Sequence, residues 1–394
     1  MISRAIIPLL LLIVITDAFF HMRFLRHKPW WAQLLWWLPS IALGAWCVKL
    51  SLVKGFLGES QGEIELFLFT YCLFMVPKAI FAICSTLGRM FGNLNRMLHR
   101  PALQRRRRNY GNLIGLLAAV AAIYIIIYGS SAGFYDIKVR RVELSFSDLP
   151  KAFDGYRIVQ FSDAHVGTLR GARQELLRQM VDSINAQRPD MIAFTGDMQN
   201  TQPQDIYPHL DLLAELKARD GIFSVLGNHD YADYVDCDEA VKVANCRETI
   251  SLQKQLGWTV LLNEHRRVSR KNGSIVVAGM ENDGEGRFPQ LGDAAKTLSG
   301  TSPTDFTILL EHDPTSWRRK ILPQTHAQLT LSGHTHGGQF SLFGWTPASL
   351  RYKEAAGLYE ENGRWINVSV GVGALIPFRF GQKGEIVVIT LKKK

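Results

Sequence analysis

Five short stretches of the chain carry side chains that bind metal ions: Asp163-Ala164-His165, Gly196-Asp197, Gly227-Asn228-His229-Asp230, Glu311-His312-Asp313 and Gly333-His334-Thr335-His336. Oxygen and imidazole donors with no thiolate among them suit manganese, iron or zinc better than copper(I) or an iron–sulfur cluster. Singly, the signals differ in weight. An Asp-x-His or a Gly-Asp is as often a turn as a site. Gly-Asn-His-Asp is more specific, and so is Gly-His-Thr-His, where two imidazoles two residues apart can both point inward. His312 gains weight only from lying at a strand end between the other motifs.

Each stretch follows a short apolar run, at 156–161, 191–195, 222–226, 306–310 and 328–331. Such runs, rich in β-branched and aromatic residues and bounded by glycine, read as buried strands. Helix-like segments at 173–187 and 206–218 lie between the early ones. A strand aims its last residues at one edge of a sheet, and open α/β sheets bind ligands beyond the carboxyl ends of their strands. Five strand ends are therefore expected to bring Asp163, His165, Asp197, Asn228, His312, His334 and His336 together, with His229 beside them.

Taken in this order, the motifs resemble the calcineurin-like metallophosphoesterases over about residues 155–390. The following Gly337-Gly338-Gln339 and the multi-span N-terminus resemble their membrane-associated bacterial branch, similar to transmembrane proteins with a metallophosphoesterase domain. The resemblance implies two divalent metal ions. Asp163, His165, Asp197 and His336 would hold the first; Asp197, Asn228, His312 and His334 would hold the second, with Asp197 bridging. It also implies that His229 is the proton donor and that Asp230 orients it. The family often has an acidic residue three positions after the bridging aspartate. Asn200 stands there in this chain, and the change is expected to alter local bonding rather than activity.

The chemistry asks for such a set. Anionic oxygens of a phosphate ester repel a nucleophile. Two metals about 3.5–4 Å apart neutralise them and lower the pKa of a bound water. An imidazole, titrating near pH 6.5, can supply the leaving group's proton. The expected function is a membrane-anchored dinuclear-metal phosphoesterase that hydrolyses a phosphomonoester or phosphodiester by attack of metal-bound hydroxide, with lipid- or envelope-linked esters among the substrates considered. One alternative is hydrolysis of the pyrophosphate of UDP-2,3-diacylglucosamine in lipid A synthesis, a cytoplasmic substrate. Another is a non-catalytic membrane receptor or scaffold on the same fold, whose signature would be lost ligands.

The expected fold is α/β: an α/β/α sandwich with mixed central sheets at 155–394, a linker at 135–154, and an all-α membrane region at 1–134. Apolar stretches at 6–20, 34–53, 66–87 and 113–128 give about four transmembrane helices, since a span needs about 20 mainly apolar residues. The first contains Asp17 and lacks a small-residue cleavage pattern, so it reads as a retained span rather than a signal peptide. The third carries Pro77 and Lys78, a lysine that must snorkel, pair or face the bundle. Arg23, Arg26 and Lys28 make the first connection basic, Glu59, Glu63 and Glu65 make the second acidic, and Arg89, Arg96, Arg100 and Arg105 to Arg108 make the third basic. That alternation puts the first and third connections in the cytoplasm. The protein is then a multi-pass protein of the cytoplasmic membrane with its catalytic domain on the external or periplasmic side.

Basic residues placed between apolar runs explain much of the net charge of +10, so no nucleic acid is expected as a partner. The oligomeric state is left open. Cys237 and Cys246 lack CxxC spacing, which argues against structural zinc and leaves a disulfide and two free thiols as alternatives. Arg170 and Gln339 are weaker candidates for the site, Phe343 and Trp345 for lipid or sugar contact, and 285–288 reads as a flexible loop.

Overall fold

The computed structural model describes residues 2–52, 58–98, 108–235 and 237–394. Arg100, Arg105, Arg106 and Arg107 lie outside the described residues, as do the side chains of Glu59 and Arg96. The chain divides into two compact units, Met1–Ser130 and Ser131–Lys394.

The first unit consists of α1 (Ile2–Phe20), α2 (Trp30–Ser51), α3 (Gly58–Leu98) and α4 (Tyr110–Ser130). Among the described residues, four stretches are long and apolar enough to cross a membrane: Ala5–Leu25, Trp30–Ser51, Gln61–Asn95 and Tyr110–Ser130. The two charges that mark the spans as unusual meet each other. Lys78 Nζ lies 2.8 Å from Asp17 Oδ1 and 2.9 Å from Ser40 Oγ, and Trp36 Nε1 donates to the same Asp17 oxygen at 2.9 Å. Pairing offsets an insertion penalty of about 2.5–3.5 kcal/mol for each charge. Helices α3 and α4 approach closely because glycine lines their crossing: a Cβ on Gly111 would stand 2.2 Å from the carbonyl oxygen of Cys84.

One element of the charge reading needs correction. Glu63 and Glu65 lie inside α3, where Glu63 pairs with Lys49 at 2.5 Å, and Lys54, which follows the second apolar stretch in sequence, lies outside the described residues. The second connection is thus less acidic than its glutamates suggest.

The second unit is built on two six-stranded sheets. In chain order the elements are β1 (Ile137–Phe146), β2 (Arg157–Phe161), α5 (Gln174–Ala186), β3 (Met191–Phe194), α6 (Leu210–Leu213), β4 (Ile222–Ser224), α7 (Glu239–Gln255), β5 (Thr259–Val260), β6 (Glu264–Arg270), β7 (Gly273–Gly279), β8 (Thr307–Leu310), β9 (Leu329–Ser332), β10 (Gly357–Glu361), β11 (Arg364–Val368) and β12 (Gly384–Lys393). The first sheet runs β1-β12-β2-β3-β4-β5, with β2 to β5 parallel and β12 antiparallel to β2. The second runs β10-β11-β9-β8-β7-β6, with β7, β8, β9 and β11 parallel.

Both faces of the central strands are covered, which is why their sequences are continuous apolar runs. Ile158, Ala193, Ile308, Leu310, Leu329 and Leu331 fill the space between the sheets. Val159, Phe161, Ile192 and Phe194 face outward onto Leu177, Met180, Val181 and Ile184 of α5. Val276, Ala278 and Leu309 cover the other outer face with Trp317 and Ile321. A polar bridge also joins the sheets: Gln160 Nε2 donates to Ser332 O at 2.9 Å, and Asn367 Nδ2 donates to Gln160 Oε1 at 2.7 Å.

Two expectations change. Residues 137–146, expected to be linker, form β1, paired in parallel with β12. As an edge strand half open to solvent, β1 lacks the strong apolar run of the buried strands. The second helix-like segment, 206–218, is α-helical only over Leu210–Leu213. Pro208 falls in the preceding turn, and proline cannot donate the hydrogen bond a longer helix would need there.

Candidate metal centre

Three strand ends of the first sheet and two of the second deliver the polar residues to one place. The loop after β2 carries Asp163 and His165, that after β3 carries Asp197, and that after β4 carries Asn228 and His229. The loop after β8 carries His312, and that after β9 carries His334 and His336. Asp163, His165, Asp197, His334 and His336 all have positive φ (50°, 41°, 60°, 72° and 51°). This left-handed backbone is costly for residues with a Cβ and concentrates at functional sites. Glycines permit the close packing: a Cβ on Gly227 would stand 2.2 Å from Asp197 Oδ1, and one on Gly333 would stand 1.9 Å from Ser162 Oγ.

Among the described residues the donor atoms form three groups: two that share no residue, Asp163 with His165 and His336 and Asp197 with His312 and His334, and a third, His165 with Asp197 and His229, that draws on both. His165 Nε2 lies 3.3 Å from His336 Nε2, His336 Nε2 3.4 Å from Asp163 Oδ1, and His165 Nε2 3.6 Å from Asp197 Oδ2. Across the site, His312 Nε2 lies 3.2 Å from Asp197 Oδ2 and 3.3 Å from His334 Nδ1, and His334 Nδ1 lies 2.7 Å from Asn228 Oδ1. Thus Asp197 Oδ2 faces both groups.

These residues fit divalent cations. Separations of 3.2–3.6 Å match the edges of a coordination shell whose bonds are about 2.0–2.2 Å. The Nδ1 atoms of His165 and His336 are buried without a hydrogen-bond partner in the protein, although their Nε2 atoms face each other. Burial, helped by the neighbouring His229, pushes His165 down to about 3, and burial pushes His334 down to about 4 and His336 well below the usual range. Neutral rings keep the lone pairs a cation needs. Asp197 is held well below the usual carboxylate range: burial opposes ionisation, but His312 and His229 outweigh it.

His312 Nδ1–H donates to Thr195 O at 2.7 Å, which aims Nε2 into the cluster. His229 Nδ1–H donates to the main-chain carbonyl of Asn200 at 2.5 Å. This corrects the role expected for Asp230. Its carboxylate accepts from the backbone N–H groups of Asp197, Met198, Gln199 and Gly227, at 2.9, 3.0, 3.3 and 2.9 Å. With its oxygens facing the turn that carries Asp197, Asp230 shapes that turn, while His229 is oriented by a carbonyl. Burial, with Asp197 adding, pushes Asp230 up to about 7.

The other candidates separate. Arg170 pairs with Asp205 at 2.7 Å, and the Gln339 amide donates to the carbonyls of Ile376 and Phe378. Phe343 is fully exposed, and Trp345 is about half exposed. Cys237 and Cys246 are both free thiols. The segment expected to be a loose loop packs on the site: the Phe288 ring meets His334 edge-on at 4.7 Å.

Some neighbours carry no sequence signal strong enough to single them out. The Tyr234 ring stacks on His229 at 4.2 Å, and its hydroxyl accepts from Asn228 Nδ2 at 2.8 Å. Tyr352 Oη lies 3.1 Å and Asp313 Oδ2 3.3 Å from His334 Nε2. Asp313 directly follows His312, and that adjacency was the available hint. Arg379 is fully buried and donates to the carbonyls of Val370, Gly371 and Gly373, fixing the loop behind Asp163.

Comparison with known proteins gives two family matches. The model described as "Calcineurin-like phosphoesterase" matches residues 156–338, and that described as "Probable Calcineurin-like phosphoesterase, transmembrane domain" matches residues 3–134. Among individual relatives, "Uncharacterized metallophosphoesterase YkuE" of Bacillus subtilis is 34% identical over 300 residues, covering 73% of this chain and 97% of that protein. "Transmembrane protein with metallophosphoesterase domain" of Danio rerio is 31% identical over 288 residues, covering 71% of this chain and 62% of that protein. An "Uncharacterized metallophosphoesterase" of Aquifex aeolicus is 29% identical over 266 residues, covering 66% of this chain and 94% of that protein.

Proposed function

The chain belongs to the calcineurin-like phosphoesterases, and from that premise we propose that it is a membrane-anchored phosphoesterase that binds two divalent metal ions and uses His229 as its proton donor. One carboxylate, Asp197, faces both donor groups, and this observation carries the reading. In it, Asp163, His165, Asp197 and His336 hold one ion, and Asp197, Asn228, His312 and His334 hold the other. When bound, manganese, iron or zinc supplies Lewis acidity that neutralises phosphoryl oxygens and acidifies water.

The chain's own groups do the rest. Thr195 O holds Nδ1 of His312, and Tyr352 Oη and Asp313 Oδ2 hold Nε2 of His334, which leaves the other nitrogen of each ring for the ion. Asn200 O occupies Nδ1 of His229, which leaves Nε2 as the ring's proton-exchanging atom. Tyr234, stacked on that imidazole, restrains its plane. A phosphoester bound between the donor groups would have its leaving oxygen within reach of His229, which gives that oxygen its proton.

The substrate is a phosphomonoester or phosphodiester, with esters of membrane lipids favoured by the membrane unit. Basic residues Arg23, Arg26 and Lys28 in the first connection support an external catalytic domain. A reporter enzyme active only outside the cytoplasm, fused after Lys394, tests that side.

The activity is tested on the detergent-solubilised chain with manganese, using p-nitrophenyl phosphate and bis-p-nitrophenyl phosphate. Hydrolysis that is lost in Asp197→Ala together with bound metal supports the reading. A metal-loaded chain that cleaves neither reporter, nor any lipid phosphoester offered, rejects it.

A further inference from the structure

Two arginines outside the donor set stand beside the metal centre, their hydrogen-bond donors free among the described residues. Arg287 and Arg351 come from separate loops, and both are exposed. Their guanidinium carbons lie 5.6 and 5.2 Å from the centre of the same ring, Phe288. That ring meets His334 edge-on at 4.7 Å. Arg351 also lies 5.3 Å from the ring of Tyr352, whose hydroxyl is 3.1 Å from His334 Nε2. Among the described residues, neither arginine has a carboxylate within ion-pair distance. The acids of the same segments are engaged elsewhere: Glu285 faces Arg319 at 3.8 Å, and Glu354 faces Arg318 at 2.6 Å.

An aromatic face attracts a guanidinium electrostatically but uses none of its N–H donors. Phe288 therefore holds one guanidinium from each of two loops while, among the described residues, leaving both forks of donors unused. A guanidinium fork matches the oxygens of a phosphate. Two positive charges also match the dianion of a phosphate monoester better than the single charge of a carboxylate. The charge of Arg287 reaches the opposite side of the site as well, where it opposes the upward push of burial on the Tyr234 hydroxyl.

We propose that Arg287 and Arg351 bind a second phosphate of the substrate, one aromatic ring away from the scissile phosphoryl group. The substrate class is then a phosphoester that carries a further phosphate, not the ester of an uncharged alcohol. This inference rests on the phosphoesterase reading above and adds the specificity that reading leaves open.

Two reporters isolate the second phosphate: thymidine 5′-(p-nitrophenyl phosphate) and the same compound with a 3′-phosphate. Both release p-nitrophenolate, so the quantity read is the ratio of their kcat/KM values on the manganese-loaded, detergent-solubilised chain. The wild type should prefer the 3′-phosphorylated compound by about tenfold or more through KM, as a charge-assisted contact implies, and salt should erode the preference. In the Arg287→Gln/Arg351→Gln double variant the ratio should fall towards one, and Lys at both positions should restore part of it. Arg178→Gln, whose charge is engaged by Glu215, controls for net charge and should keep the ratio. A wild-type ratio near one, or a preference that survives in the double variant, overturns the proposal. Release of p-nitrophenolate from neither compound, with p-nitrophenyl phosphate also left intact, counts against the phosphoesterase reading instead. Equilibrium dialysis of the same two compounds then decides the arginines separately: tighter binding of the 3′-phosphorylated compound that the double variant loses supports them, and equal binding overturns them.

Discussion

The Nδ1–H of His229 donates to the main-chain carbonyl of Asn200 across 2.5 Å, so the ring's tautomer is set by backbone and not by a neighbouring carboxylate. A carbonyl cannot take up a proton at any working pH. It orients the imidazole, and Nε2 is left to exchange protons with a bound ester.

His229→Ala should therefore lower kcat by about 10²–10⁴-fold, the usual range for a general acid. The loss should be larger for an alkyl ester, whose leaving oxygen needs the proton, than for a nitrophenyl ester. Metal content measured by mass spectrometry should stay near wild type, because the groups around Asp163 and His312 remain complete and only the third, His165 with Asp197 and His229, loses a member. Equal losses on both esters would argue against proton donation.

Asp230→Asn tests a different role. Four backbone N–H groups converge on that carboxylate, and an amide must turn one NH2 group towards them. The variant should be destabilised by about 1–3 kcal/mol per donor left unsatisfied, and should bind metal more weakly through the displaced Asp197 turn. The pH profile of whatever activity remains should keep its shape. A shifted profile would return Asp230 to the proton-transfer machinery.

In the membrane unit, Lys78→Met leaves the Asp17 carboxylate buried without its cation. Thermal stability in detergent should fall sharply in the single variant and recover in Asp17→Asn/Lys78→Met, since removing one partner of a buried pair is worse than removing both. Additive losses would show that the two charges act independently.

Hydrogen bonds from Arg267 hold the Asp305 carboxyl down at about 2. The folded value lies below the unfolded value of about 3.9, so the pair's contribution is complete above that pH and is lost as pH falls through about 2. Arg267 is 43% exposed, which limits the contribution to about 0.2–1 kcal/mol. Asp305→Asn should thus lower the melting temperature at pH 6 by a degree or a few, and the difference should shrink as the pH approaches 2. A difference that grows on acidification would contradict the assignment.

Much of the α/β unit was legible in the chain itself. Strands covered on both faces must be apolar along their length, so 156–161, 191–195, 222–226, 306–310 and 328–331 stood out, and each ended where a ligand-type residue began. The pairing of β1 was not legible, because its partner β12 lies more than 240 residues away and its own face is half solvent. The apolar stretches of the membrane unit were equally plain, while the partner of Lys78 depended on how α1 and α3 meet.

Local order thus determined which residues stand at strand ends, because periodicity and burial act on neighbours along the chain. It did not determine which atoms face each other. Asp230 follows His229 in sequence, but the turn points its oxygens at backbone amides, and the imidazole finds the carbonyl of Asn200 instead. Arg287 and Arg351 share one ring only because two loops from different parts of the chain close over His334. A backbone carbonyl or a ring shared by two loops leaves no signature in residue types, since its effect depends on distance and direction, and those exist only once the sheets have packed.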